Sequence, residues 1–137
     1  MVLNETLPTS NKVMVLARLL FTSLFFLSGI THFTNVPYYT SLMHPDIPMR
    51  LLWIYLSGVV ELAGAAMILF NWRPQVGGWL LVAFLVPVTV VVHGYEMLHA
   101  QDEVIRALQQ AHFLKGIALT GAALVFTQLP GKKQVRA

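Results

Sequence analysis

Seven ionisable side chains of this sequence stand inside or at the rims of long apolar runs: Arg18, His32, Glu61, His93, Glu96, His112 and Lys115. In hydrocarbon a charged side chain at mid-depth costs about 3 kcal/mol on insertion scales, so such a residue normally has a partner or a task. One chemistry uses Lys115 and His93 as donors to a carbonyl, sulfonate or sulfite-like oxygen, with Glu96 fixing the tautomer of His93 and with His32 and His112 close by. That set suits a quinone or a small sulfur-containing anion, because pockets for such ligands are mostly apolar with a few placed polar groups. No catalytic residue is singled out.

A metal is the competing chemistry. His93, Glu96 and His99 recur at three and three, with His32 and His112 as further imidazoles. Three positions at that spacing spread over about 120° of a helix, so one ion cannot easily collect all three, and the nearby Lys115 repels a cation. The expectation is no metal. The plainest alternative is that these groups only hydrogen-bond between helices or reach the interface with their polar tips.

Helical spacing puts most of these side chains on single faces. Arg18, Thr22, Phe25, Gly29 and His32 recur at steps of four and three; so do Ser57, Glu61, Gly64 and Ile68; Thr89, His93 and Glu96; and His112, Lys115, Leu119 and Ala122. Each stripe mixes polar and small residues, which lets membrane helices approach closely. Depths reckoned at about 1.5 Å per residue put Glu61 near mid-membrane and Arg18 roughly 7–8 Å to one side, a gap a long side chain bridges. The sequence therefore predicts a structural Arg18 to Glu61 ion pair, and a half-cavity toward the opposite surface lined by His32, His93, Glu96, His112 and Lys115. Pro87 removes a backbone hydrogen bond just below it and predicts a kink.

The elements that must position these groups follow from composition. The chain has 137 residues, 56% hydrophobic and 11% charged, with a net charge of +3 and no cysteine. Soluble domains carry about 25% charged residues, so lipid is the expected surrounding. Disorder, a coiled coil and nucleic-acid binding are poor fits, and the lack of cysteine removes disulfides and thiolate chemistry. No glycine-rich phosphate loop is present. The apolar runs lack the alternation a membrane β-barrel needs. Four segments, 13–33, 51–70, 76–98 and 113–129, approach the roughly 20 apolar residues of a span. The first carries Arg18 and lacks a small-x-small cleavage site, so it reads as a span and not as a signal peptide.

One all-α domain over 1–137, an integral membrane bundle of four transmembrane helices, is the expected fold. Five residues, 71–75, force spans two and three into an antiparallel hairpin. The aromatic and proline-rich 34–50 reads as an interfacial flap, and the connection 99–112 as a short amphipathic helical turn on the membrane surface. Lys12, Arg73, Lys132, Lys133 and Arg136 fall on one side, against Arg50 and Arg106 on the other, so both termini are expected to be cytoplasmic. Met43, Met49, Met67, Phe21, Phe25 and Phe26 read as packing.

The order of motifs resembles the DoxX family of small four-helix bacterial membrane proteins. The matching pieces are Ala17-Arg18-Leu19-Leu20, Ser28-Gly29-Ile30-Thr31-His32-Phe33, Gly58-Val59-Val60-Glu61-Leu62-Ala63-Gly64, His93, and Gln110 followed by Phe113-Leu114-Lys115-Gly116-Ile117-Ala118-Leu119. Where that family commonly reads Phe-Leu-Lys-Asn, this chain has Gly116, and the family's paired glycines are Gly121 and Ala122 here. The resemblance implies a multi-pass protein of the bacterial inner membrane. It also implies association with oxidoreductases, since the family is named for a membrane subunit of a thiosulfate:quinone oxidoreductase and some relatives accompany thiol or oxidative-stress complexes. The functional expectation is a redox-associated subunit binding a quinone or a sulfur-containing ligand. Its rivals are a non-catalytic assembly subunit for a protein partner or homo-oligomer and, less favoured, a small-solute transporter, which the absence of a clear inverted repeat disfavours. Lipid is an expected partner in every case, and nucleic acid in none.

Overall fold

The computed structural model describes residues 11–131, and within them every regular element is helical. Helix α1 (Asn11–Thr34) is followed by the short α2 (Val36–Leu42), which opens on Pro37. That ring cannot donate a backbone hydrogen and sits where a helix leaves its first amides unbonded anyway. Helix α3 (Arg50–Leu69) turns back through Asn71, Trp72 and Arg73 into α4 (Pro74–Pro87). Asn71 and Arg73 both take left-handed backbone angles in this turn, and the Arg73 guanidinium lies over the Trp72 ring. The expected hairpin is thus present.

After Pro87 the chain winds as a π-helix over Val88–Gly94, resumes as α5 (Tyr95–His99), and breaks at Ala100. Proline supplies no N–H and crowds the carbonyl four residues before it, and the wider π turn accommodates such a defect. The buried positions of this segment are Thr89 and Gly94, five apart, as an i to i+5 helix requires. Of the expected Thr89, His93 and Glu96 stripe, Thr89 and His93 both meet the helix that follows, at Gly116 and Gln109, while the partly covered Glu96 makes no side-chain hydrogen bond there.

Helix α6 (Glu103–Thr127) corrects the expectation of a short helical turn over 99–112 separate from a fourth span that begins at 113, since the two are one continuous helix. The Asp102 carboxylate accepts hydrogen bonds from the amides of Val104 and Ile105 at 2.8 and 3.0 Å, capping a helix that meets no glycine before Gly116. The amphipathic turn is the first part of α6. Arg106 reaches back to the Ala100 carbonyl at 2.9 Å and ties that start to the preceding break.

Helix α1 packs on α3, α3 on α4, and α4 on α6. Phe25, Ala65, Ile68, Leu81, Leu85, Ala123 and Phe126 form the apolar core, and the Phe21 and Phe126 rings meet at 4.9 Å to join α1 to α6. The backbones come closest where Gly77 faces the Gly64 carbonyl, so near that a β-carbon on Gly77 would lie 2.7 Å from that oxygen. On α6 the buried Gln109, Gly116 and Ala123 recur every seven residues, a narrow seam that widens to Phe126 and Thr127 at its end. The expected stripe of His112, Lys115, Leu119 and Ala122 lies along its edge, with Lys115 exposed and Gly121 meeting nothing within 4 Å.

The exterior is apolar. Leu20, Leu27, Leu51, Trp53, Trp79, Val90, Leu98, Leu114 and Val125 are among many large hydrophobic side chains left exposed, far beyond the patches that water tolerates on a monomer. Three helices, Asn11–Thr34, Arg50–Leu69 and the continuous Pro74–His99, are long and apolar enough to cross a membrane. Helix α6 is as long, but its first half carries Glu103, Arg106, Gln109, Gln110, His112 and Lys115. Lys132, Lys133 and Arg136 of the charge count lie outside the described residues.

Candidate functional site

The apolar core lies toward the end of the fold that holds the α3–α4 turn, and the polar side chains gather toward the other end in two clusters. The first is built on α1 and α3. Gly29 packs on Leu62, and Gly58 packs on the β-carbon of His32 and the ring of Phe33, which fixes the register of the two helices. His32 Nε2 thereby stands 3.2 Å from Glu61 Oε1, with the two side chains 5% and 0% exposed. On its other edge His32 Nδ1 lies 2.8 Å from Ser57 Oγ and 3.0 Å from the Ile54 carbonyl. The Tyr39 ring covers the imidazole at a centroid distance of 3.9 Å, and its hydroxyl bonds Thr31 Oγ1 at 2.6 Å. The Phe84 ring meets the imidazole edge-on at 6.1 Å.

This register overturns the Arg18 to Glu61 ion pair. Gly29 sits level with the Gly58 to Leu62 turn, and Arg18, eleven residues earlier on α1, is about 16 Å farther along the axis, beyond side-chain reach. Centring each span separately misjudged the offset between the helices. Among the described residues Arg18 makes no ion pair, and its Nε is buried without a hydrogen-bond partner. The partner of Glu61 is His32.

The second cluster spans the π-helix and α6. His93 Nδ1 donates to Gln109 Oε1 at 2.7 Å, and the rings of His93 and His112 stack with centroids 5.1 Å apart and planes 24° from parallel. Lys115 Nζ donates to His112 Nδ1 at 3.0 Å. An ammonium can only donate, so His112 Nδ1 bears a lone pair and its hydrogen is on Nε2. With Nδ1 of His93 donating, neutral His93 presents a lone pair at Nε2. The stacked imidazoles thus offer one acceptor and one donor, with an ammonium beside them.

Of the five side chains expected to share one cavity, the fold brings together His93, His112 and Lys115. It places His32 in the other cluster. Glu96 makes no hydrogen bond to His93, whose tautomer is set by Gln109. Gln109 was missed as a partner of His93 because 99–112 was read as a helical turn lying on the membrane surface; on a continuous helix capped by Asp102 it falls on the buried seam. Tyr39 and Ser57 were missed as partners of His32 because their contacts come from a short flap helix and from tertiary register. A third aromatic group, His44, Tyr95 and His99, lies near the rim, with Tyr95 and His99 stacked at 4.1 Å and His44 5.5 Å from Tyr95.

Fold and site together define, over the described residues, an all-helical protein with three helices fit to cross a membrane and with one buried and two partly buried histidines toward one end. The chain belongs to the family described as a domain of unknown function (DUF8561), whose model matches residues 21–119, a stretch that holds both clusters. No curated protein and no solved structure matches it.

Proposed function

We propose that the chain is a four-helix membrane bundle, α6 supplying the fourth span and both termini facing the cytoplasm, and that it serves as a DoxX-like, redox-associated subunit of a bacterial inner membrane. Its ligand is a quinone or a small sulfur-containing compound bound at the His93, His112 and Lys115 group on the non-cytoplasmic side. The observation that carries this reading is the stacked imidazole pair with its ammonium: an acceptor and two kinds of donor beside apolar, lipid-facing helices. The donor set fits carbonyl or oxyanion groups, since Lys115 and the Nε2–H of His112 both donate and a quinone presents only acceptors until it is reduced. A bound quinone would supply two-electron redox chemistry; the side chains would orient its head group. The count along the sequence, Lys12, Arg73, Lys132, Lys133 and Arg136 against Arg50 and Arg106, is what supports the orientation.

Mass spectrometry of lipid-soluble and small-molecule species retained by the purified protein tests the reading. Wild type is expected to retain a quinone or sulfur compound that Lys115→Ala loses while staying folded. Equal retention by both, or none by either, removes this site and favours an assembly role, to be pursued through partners that co-purify from native membranes.

A further inference from the structure

The hydrogen-bond partners of His32 and Glu61 fix how many protons the two side chains hold between them. The Ile54 carbonyl, 3.0 Å from His32 Nδ1, has no hydrogen to give and requires one on that nitrogen, which leaves the Ser57 hydroxyl hydrogen to the Ile54 carbonyl at 2.9 Å. Toward His32 Nδ1, 2.8 Å away, that hydroxyl therefore accepts as well. Nδ1 must carry a hydrogen. In a neutral imidazole Nε2 is then a lone pair, and Nε2 is the atom that faces Glu61 Oε1 at 3.2 Å.

A carboxylate facing that lone pair would set two acceptors against each other. The surroundings give little relief: Glu61 is 0% exposed, the Ser28 side chain of α1 is the one further polar group beside the carboxyl, and among the described residues neither carboxyl oxygen has a partner within hydrogen-bond geometry. We propose that His32 and Glu61 form a proton-binding site that holds one shared proton between Nε2 and Oε1 in the interior of the bundle. The proton rests on the carboxyl, because an ion pair there would first have to strip water from both charges. Its transfer breaks the Oε1–H bond and forms the Nε2–H bond, giving carboxylate and imidazolium with the net charge of the pair unchanged.

Few other groups act on this proton. Ser28 of α1 lies beside the carboxyl, and α2 contributes Tyr39, whose hydroxyl is engaged with Thr31. Helix α4 packs on α3 with no titratable side chain between Pro74 and Pro87, and Arg18 is about 16 Å away along α1. The site therefore works as a two-residue unit, gated on the flap side by the Tyr39 ring. It holds whether or not a ligand occupies the His93 cluster.

The full chain, with 13C-labelled carboxyls and 15N-labelled imidazoles and reconstituted in lipid vesicles at neutral pH, gives the test. Infrared and nitrogen spectra are expected to show one protonic carboxyl, lost in Glu61→Gln, and a His32 ring hydrogenated at Nδ1 only. A carboxylate beside a doubly protonated His32 also preserves the single shared proton and supports the site. A carboxylate beside a neutral His32, or a protonated Glu61 beside an imidazolium, overturns it. Should Glu61→Gln fail to fold, His32→Asn assigns the ring signal and the wild-type carboxyl band is read directly.

Discussion

The hydroxyl of Thr89 fills the space in which a side chain on Gly116 would begin. A β-carbon built on Gly116 collides with Thr89 Oγ1 and comes within 2.9 Å of its β-carbon. Thr89 Oγ1 is itself buried without a hydrogen-bond partner, wedged between the π-helix and α6. Gly116 is thus matched to a threonine on the facing helix. Gly116→Ala should destabilise the protein by about 1–3 kcal/mol through overpacking. Thr89→Ala should restore part of the loss, a coupling that a double-mutant cycle of unfolding in mild detergent measures. Additive effects would mean that α6 tilts away freely at this point.

The α3–α4 approach gives a paired contrast. Gly77→Ala drives a methyl into the Gly64 carbonyl, which as backbone cannot rotate aside, and should cost about 1–3 kcal/mol. Gly121→Ala, on the open face of α6, should be neutral or stabilising by up to about 1 kcal/mol, since alanine is the better helix former. Equal losses at the two positions, read from detergent unfolding midpoints, would place a partner or second copy against the Gly121 face.

Faces were legible in the sequence where helices are regular, and illegible where the helix type changes. Thr22, Phe25, Gly29 and His32, and Glu61, Gly64 and Ile68, are buried as their spacing requires. The Thr89 stripe holds through His93, which also meets α6, and is lost at Glu96, since a π turn over Val88–Gly94 carries more residues than an α turn, which nothing except Pro87 foreshadowed. The Arg18 to Glu61 pairing fails for another reason. Helix faces are a property of one segment, whereas axial register is set by which glycines meet, and only the packed structure reveals that Gly29 sits against Gly58 and Leu62. The start of α6 could have been read from Asp102 and Glu103 at its cap and first turn.

That cap is separately testable. Asp102→Ala removes the acceptor of the Val104 and Ile105 amides and should cost about 1 kcal/mol. Hydrogen exchange should accelerate in the first turn of α6 and stay unchanged beyond Gly116. Because Gln109 and His112 lie two to three turns on, the loosened cap should also weaken ligand retention slightly, without the complete loss expected of Lys115→Ala.

Gln109 positions His93 and does not itself need to touch a ligand. Its Oε1 holds the Nδ1–H of His93 at 2.7 Å, leaving Nε2 as an acceptor. Gln109→Met keeps the volume and helix propensity but removes that acceptor, freeing the ring to exchange tautomers. Loss of one such hydrogen bond, worth about 1 kcal/mol, should lower ligand affinity roughly fivefold. Gln109→Glu retains an acceptor at the same place and should keep the wild-type tautomer. The 15N spectrum of the His93 ring distinguishes these outcomes from a general loosening of α6, which would leave the tautomer alike in all three proteins. A ring hydrogenated at Nδ1 in wild type and Gln109→Glu, but at both nitrogens in exchange in Gln109→Met, establishes that Gln109 sets which face of His93 is offered to the membrane.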